Sequence, residues 1–395
     1  MRVDVLKEAI QEYQTPSYLF DIDTFKENIR QTKRMMGEQI QLVYAMKANP
    51  FLTKAAVTEL EGIEVCSPGE FAICEENLIP MDKIILSGVY KARKDIEKVL
   101  ETYHGMGVYT VESVEQLKML NGEAGKRNLK INILLRLTSG NQFGMDEGTI
   151  REIVKTRKWY ENIHVVGLQF YSGTQKKAAE ILEREVKYLD EVLNQLENDY
   201  GFFAEKLEYG PGLFVSYFQK EKYEKEEIRQ LKQCLNNMRF TGKIVLELGR
   251  YLAASCGYYI TRIVDKKENC GQEYAIVDGG IHHLNYYGQT MAMKLPYFWQ
   301  LDGCAMDIKK VDKEESKNVN VCGALCTVSD VLVKNMPLAG AYEGDVLVFQ
   351  NTGAYSVTEG ISLFLSRNLP KVLVWSEKGG LKLKRESIES SQFNN

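Results

Sequence analysis

Leu42-Val43-Tyr44-Ala45-Met46-Lys47-Ala48-Asn49-Pro50 is the stretch that decides how this 395-residue chain folds. It reads as a short apolar strand, 41–47, stopped by Asn-Pro, with Lys47 at its C-terminal end. Burying an ammonium there costs on the order of several kcal/mol of desolvation unless something uses the charge. One use is a lysine neutral enough to attack a carbonyl and form a Schiff base. The competing reading is a lysine that snorkels at a strand end.

Outward from this stretch, apolar runs recur at 63–67, 83–87, 107–111, 130–137, 164–171, 206–209 and 243–248. Helical patterns lie between them, among them 70–77, 112–120, 149–158, 175–200 and 224–237. The long one carries Ala178, Ile181, Leu182, Val186, Leu189, Val192 and Leu196 close to helical spacing. Eight β units with α connections predict an α/β fold, a (β/α)8 TIM barrel over residues 22–252. Beyond Leu252 the pattern changes to short β-runs at 258–264, 274–278, 318–321, 328–334, 345–349 and 371–376. Glu377-Lys378-Gly379-Gly380 then reads as a hairpin turn into 381–384. This predicts a C-terminal all-β domain, 253–395, completed by the N-terminal segment 1–21 with its helix at 5–13 and strand at 17–21. The charge run 314–317 reads as a solvated loop; the hairpin bases Lys382, Lys384 and Arg385 read as a solvated hairpin face or as a basic patch for an acidic partner.

Barrel chemistry sits at the C-terminal ends of the strands. Lys47 ends the first, Ser67-Pro68-Gly69-Glu70 follows the second, and Arg136 lies near the end of the fifth. Tyr171-Ser172-Gly173-Thr174-Gln175 closes the sixth, Gly210-Pro211-Gly212 follows the seventh, and Glu247-Leu248-Gly249-Arg250 closes the eighth. The Gly210–Gly212 turn can offer backbone N–H groups to a phosphate and Arg250 can pair with it. A Schiff-base lysine beside a phosphate cradle points to pyridoxal phosphate. Glu247, in the apolar strand Ile244-Val245-Leu246-Glu247, supplies the carboxylate that keeps a pyridine nitrogen protonated. That favours decarboxylation, whereas an arginine there favours racemisation. The competing reading of Glu247 is an ion pair with Arg250.

These segments resemble the fold-type III pyridoxal-phosphate decarboxylases, the ornithine/arginine and diaminopimelate group. The resemblance runs from about Thr15 to Val374 and includes Val277-Asp278-Gly279-Gly280, Cys326-Thr327-Val328-Ser329-Asp330 and Gly353-Ala354-Tyr355. It implies that Lys47 holds the cofactor and that Glu247 faces its ring nitrogen. It also implies that Gly210, Gly212, Arg250 and Tyr355 bind its phosphate and that Cys326 protonates the substrate carbanion. Homodimers with shared active sites are implied as well, Cys326 reaching the partner's site. Tyr171 stands where the family usually stacks a histidine on the cofactor ring. Thr327 stands where enzymes of free diamino acids carry an acid, and His282 is a candidate substrate contact, structural packing with His283 being the competing reading. With Gln142-Phe143-Gly144-Met145-Asp146 and Asp278-Gly279-Gly280-Ile281-His282-His283, these variants look most like the branch acting on carrier-protein-tethered substrates, the glutamyl decarboxylase branch of butirosin biosynthesis. An acyl carrier protein is then an expected partner. The alternatives are a decarboxylase of a free diamino acid such as diaminopimelate, and a silent scaffold that binds the cofactor.

Composition fits this reading. Hydrophobic content of 44% and charged content of 26% are those of a globular chain, and a net charge of -4 argues against a nucleic-acid binder. Met1-Arg2-Val3-Asp4-Val5-Leu6-Lys7-Glu8 places charges where a signal peptide needs an apolar core, and no apolar run approaches membrane-spanning length. Eight scattered cysteines form no disulfide framework or zinc ribbon, so a reducing, cytoplasmic setting is expected. His104, His164, His282 and His283 show no metal-ligand spacing. His282 and His283 point to opposite sides if the backbone is extended.

Overall fold

In the computed structural model, which describes residues 1–104, 106–221, 226–310 and 316–395, the chain opens with a helix, Val3–Tyr13, and a strand, β1 (Ser17–Asp21). Eight strands then close into an all-parallel barrel. They are β2 (Ile40–Ala45), β3 (Gly62–Val65), β4 (Ile84–Leu86), β5 (Val108–Val111), β6 (Ile131–Leu137), β7 (Ile163–Tyr171), β8 (Lys206–Gly210) and β9 (Lys243–Leu248). Closure is made by β2 on β9, from Ile40 opposite Ile244 to Tyr44 opposite Leu248. Strands covered on both faces read as near-continuous apolar runs, which is why the sequence announces them.

Register sets what the barrel holds inside. Val43, Ile85 and Val245 meet although their strands are not all neighbours, and Val108, Leu134 and Val166 form a second apolar group. Glu247 lies opposite Val43, Glu64 opposite Ala45 and Glu208 opposite Val245. Register partners in a parallel sheet share a face, so these carboxyls point inward above an apolar floor.

Lys47 is not in the strand. β2 stops at Ala45, and Met46–Ala48 forms a single 3-10 turn. Pro50 disfavours helical backbone at Asn49, whose N–H closes the turn on the Met46 carbonyl at 3.0 Å. The long helix spans Ala179–Tyr200 rather than beginning at 175, because Gln175 is left-handed (φ 59°) and the Lys176 N–H is spent on the Gly212 carbonyl at 3.0 Å. The helix expected over 224–237 is described as Glu226–Asn236, positions 224 and 225 lying outside the described residues.

Contacts divide the described residues into two compact units: 28–214 with 226–251, and 1–27, 215–221 and 252–395. Residues 215–221, inside the span read from sequence as barrel, group with the second unit. There the rings of Tyr217 and Phe218 pack on Tyr286 at 5.6 and 6.0 Å.

The second unit is built on a sheet ordered β14-β13-β11-β10-β1-β16-β17, where β10 is Gly257–Asn269, β11 Gln272–Val277, β13 Lys317–Cys322, β14 Val331–Leu338, β16 Lys371–Ser376 and β17 Gly380–Arg385. A further strand, β15 (Val346–Gln350), pairs with β10, and β12 (Phe298–Leu301), not anticipated from the sequence, pairs with β15. β1 sits between β10 and β16. Helix Val3–Tyr13 lays Val5, Leu6, Ala9 and Ile10 on Leu19, Ile260, Val348 and Leu373. Each larger apolar side chain buried this way contributes about 1.5–3 kcal/mol. The hairpin turns through 377–379 with Gly380 at φ 67°. Lys382 and Lys384 stay exposed, while Arg385 turns in to donate to the Pro370 carbonyl at 3.0 Å. The run expected from 328 starts only at Val331, because 324–329 forms a tight loop. Of the charge run 314–317, positions 314 and 315 lie outside the described residues, and Lys317 opens β13. No described helix is long and apolar enough to cross a membrane.

Candidate active site

Lys47 leaves its 3-10 turn with its Nζ 2.8 Å from Glu64 Oε2 and 3.0 Å from Glu247 Oε1, while its side chain remains 38% exposed. Both carboxyls are buried, and they hydrogen-bond each other. Burial pushes Glu247 up to about 7, helped by repulsion from Glu64 and opposed by Lys47. Burial acts on Glu64 too, but the Lys47 ammonium and the bond to Glu247 outweigh it and hold Glu64 below the usual range. The two carboxyls therefore titrate as a pair facing one lysine. Gln169 Nε2 donates to the other Glu247 oxygen at 3.1 Å.

Tyr171 ends β7, its ring centroid 5.9 Å from Lys47 Nζ. Two loops interlock beyond it. Gly212 has φ 62°, and a Cβ there would lie 1.9 Å from the Gly173 carbonyl oxygen; a Cβ on Gly210 would lie 2.7 Å from the Tyr171 ring. Glycine is required at both positions by this close approach. Arg250 is buried at the start of the short helix that follows β9, and Gly249 before it packs on Ala45 and Ala48 beside the Lys47 turn. Lys47, Tyr171, Gly210, Gly212, Glu247 and Arg250 thus share the C-terminal rim of one barrel.

Two rim groups named from the sequence have structural work. Ser67 caps helix Pro68–Glu76 by accepting the Glu70 N–H at 3.1 Å, and the Glu70 carboxylate accepts the Cys66 N–H, one residue before the cap, at 2.6 Å. Arg136 pairs with Glu112 at 2.8 Å and lies 4.9 Å from the Phe143 ring centroid, and Glu112 also accepts the Gly144 N–H at 3.2 Å.

The remaining candidates belong to the second unit. Cys326 and Val328 are exposed on the 324–329 loop, and Thr327 Oγ1 lies 2.9 Å from Ser329 Oγ. Asp330 anchors the loop base by accepting the Leu325 and Ile281 N–H groups at 2.7 and 2.8 Å. Tyr355 is half-buried at φ 67°, its carbonyl accepting from the Thr358 and Glu359 N–H groups. His282 is buried, and its Nδ1 has no hydrogen-bond partner among the described residues. The two histidines do not point apart. They follow Gly279-Gly280 in a turn closed by His283 N–H on the Gly280 carbonyl at 3.0 Å, which brings the ring centroids to 3.8 Å. Burial then holds His282 down at about 3 and His283 at about 4.

Sequence reasoning misses three groups. Glu64 and Glu208 interrupt the apolar runs Ile63-Glu64-Val65 and Leu207-Glu208-Tyr209, the same signal that singles out Glu247. Glu185, on helix Ala179–Tyr200, gathers Ser172, Lys176 (2.7 Å) and Tyr209 (2.6 Å) and so pins the loop beyond Tyr171. No periodicity distinguishes it from a solvated helix position.

The chain's residues fit pyridoxal phosphate. An amine stands at the mouth of the barrel, an inward carboxyl is poised near neutrality, an aromatic ring lies beside the amine, and a glycine turn admits no side chain. A profile of the family described as "Pyridoxal-dependent decarboxylase, pyridoxal binding domain" matches residues 22–254, more than half of the chain. The L-glutamyl-[BtrI acyl-carrier protein] decarboxylase of Niallia circulans is 27% identical, the alignment covering 91% of this chain and 88% of that protein. The diaminopimelate decarboxylase of Aquifex aeolicus is also 27% identical, over 97% and 92%. The crystal structure of diaminopimelate decarboxylase from M. jannaschii in co-complex with L-lysine superposes with a TM-score of 0.84 at 23% identity, covering 97% of this chain and 92% of that one. This chain belongs to the pyridoxal-dependent decarboxylases, carboxy-lyases that use pyridoxal phosphate to decarboxylate amino acids.

Proposed function

We propose that this decarboxylase removes the α-carboxylate of an aminoacyl, glutamyl-like group tethered to an acyl carrier protein, and that it works as a homodimer with shared active sites. Lys47 Nζ holds the cofactor, Glu247 faces its ring nitrogen and Tyr171 its ring face. Gly210, Gly212, Arg250 and Tyr355 take its phosphate. When bound, the pyridine ring supplies the sink for the electron pair that the departing carboxylate leaves behind. Glu64 and Glu247 hold the Lys47 proton between them. Cys326 Sγ gives a proton to the substrate's α-carbon, and Thr327 contacts the substrate's remaining atoms.

The observation that carries the substrate reading is Thr327. A free diamino acid brings a distal ammonium, and a lone hydroxyl compensates a buried cation poorly. A tethered γ-acyl group brings no such charge. The similarity to a carrier-protein decarboxylase over 91% of the chain supports the same reading. The similarity to diaminopimelate decarboxylases supports decarboxylation of free meso-diaminopimelate as a second reading. Carbon dioxide release decides between them: fast turnover of a glutamyl carrier protein with little from diaminopimelate is expected, and the opposite ranking rejects the carrier.

Support for the dimer comes from the exposed apolar surface beside Cys326. Val328 is fully exposed, Met291 and Ile361 line the same cavity of about 620 Å³, and Leu363 and Phe364 follow in the chain, also exposed. Exposed apolar side chains of this kind suit a partner protein, and a second copy would receive the Cys326 loop. Mixing inactive Lys47→Ala with inactive Cys326→Ala is expected to restore about a quarter of the sites, as random pairing of subunits gives. No recovery rejects sharing.

A further inference from the structure

We propose that Glu208 is a positioning residue: its protonated carboxyl donates to the Gln169 carbonyl oxygen and so keeps the Gln169 amide turned toward Glu247. The proposal rests on Glu247 serving the cofactor's ring nitrogen.

The geometry starts from the register. Gln169 on β7 lies opposite Glu208 on β8, and Glu208 lies opposite Val245, one inward step below Glu247 on β9. Glu208 is fully buried and Gln169 almost so. Gln169 Nε2 donates to Glu247 Oε2 at 3.1 Å, which turns its carbonyl oxygen the other way. That oxygen has no partner among the described residues, and neither has either oxygen of Glu208. Three buried acceptors without a donor, on two neighbouring strands, are unstable as they stand. One proton on Glu208 resolves two of them, because it removes a buried charge and turns an acceptor into the donor that Gln169 lacks.

The charges around Glu208 agree. Burial is the largest influence, and the carboxylates of Glu247 and Glu64 also favour the proton. Lys206 on its own strand and Lys47 oppose it. The balance raises Glu208 to about 8. With the amide fixed, Glu247 receives a donor at each oxygen, Lys47 at Oε1 and Gln169 at Oε2. Such bonds favour its charged form, the one a pyridinium nitrogen needs. If Glu208 ionises, it draws the Gln169 NH2 to itself and Glu247 loses that donor. Cofactor affinity should therefore fall as pH rises past about 8.

Infrared difference spectra of the apoprotein at pH 7 should show a protonated-carboxyl band that Glu208→Gln removes. Glu208→Gln keeps a neutral donor, so it should hold pyridoxal phosphate within about threefold of wild type and lose the alkaline fall in affinity. Glu208→Leu should weaken binding roughly tenfold, and the Gln169→Leu, Glu208→Leu double variant should bind no more weakly than Gln169→Leu alone. Stability adds a second readout. A carboxyl raised in the fold loses stability as pH rises between its ordinary value and its folded one. The melting temperature of Glu208→Gln should therefore gain on wild type from pH 5 to pH 9. An absent carboxyl band, or fully multiplicative Gln169 and Glu208 effects, overturns the proposal. Failure of the underlying reading looks different: Glu247→Gln would then leave cofactor affinity unchanged, whatever the Glu208 band shows.

Discussion

In the barrel, Lys47 Nζ stands 2.8 Å from Glu64 and 3.0 Å from Glu247; in the second unit, the rings of His282 and His283 stand 3.8 Å apart. Both clusters bury titratable groups, but burial leads to different chemistry. The barrel cluster mixes signs and stays open at one side, so its protons can be exchanged among lysine and carboxyls. The histidine pair is made of like groups, and neutrality is its stable state. His283 is fastened on both sides, 3.1 Å from the Tyr259 hydroxyl and 2.8 Å from the Asn368 carbonyl. A buried titratable group thus marks chemistry when it has an opposite charge and an opening, and marks packing when it has neither.

Breaking the barrel side of this contrast should have the larger effect. Glu247→Gln keeps the size of the side chain and removes its charge. It is expected to lower kcat about 10²–10³-fold, on the scale of other preorganised electrostatic contacts. Steady-state kinetics with saturating cofactor measures this, and a loss below threefold would place Glu247 among the packing groups.

The histidine side should reveal itself in stability. A histidine with a depressed folded pKa gives stability that is present above its unfolded value of about 6.5 and is lost as pH falls toward the folded value. For His283, held down at about 4, the window lies between pH 6.5 and pH 4. The cost by pH 4 is ~2–3 kcal/mol. Denaturant titrations should show this acid loss in wild type and a shallower one in His283→Gln. Equal slopes would mean that the imidazole is protonated within the fold.

The same contrast explains what was legible in the sequence. The barrel was readable because parallel strands are apolar on both faces, so Lys47 and Glu247 stand out as interruptions. Glu64 and Glu208 interrupt just as clearly, but only register shows that all of them point inward. The sixth and seventh strand loops were visible as glycine-rich, while their clasp, Glu185, sits on a helix face whose polarity looks ordinary. In the second unit the strand alternation is weaker. Phe298–Leu301 is short, and Val328 mimics the start of a strand whose pairing begins only at Val331. Extended geometry does not apply to the histidine pair, because the backbone turns after Gly279-Gly280, and nothing in the pair's own residues announces that turn.

The central claim is that Lys47 is the amine that holds the cofactor. Borohydride reduction of the pyridoxal-phosphate-loaded enzyme, followed by peptide mapping, tests it directly. A pyridoxyl label on Lys47 that is absent from Lys47→Ala is the predicted result. Label on another lysine, Lys91 for instance, with Lys47→Ala still labelled, would contradict it.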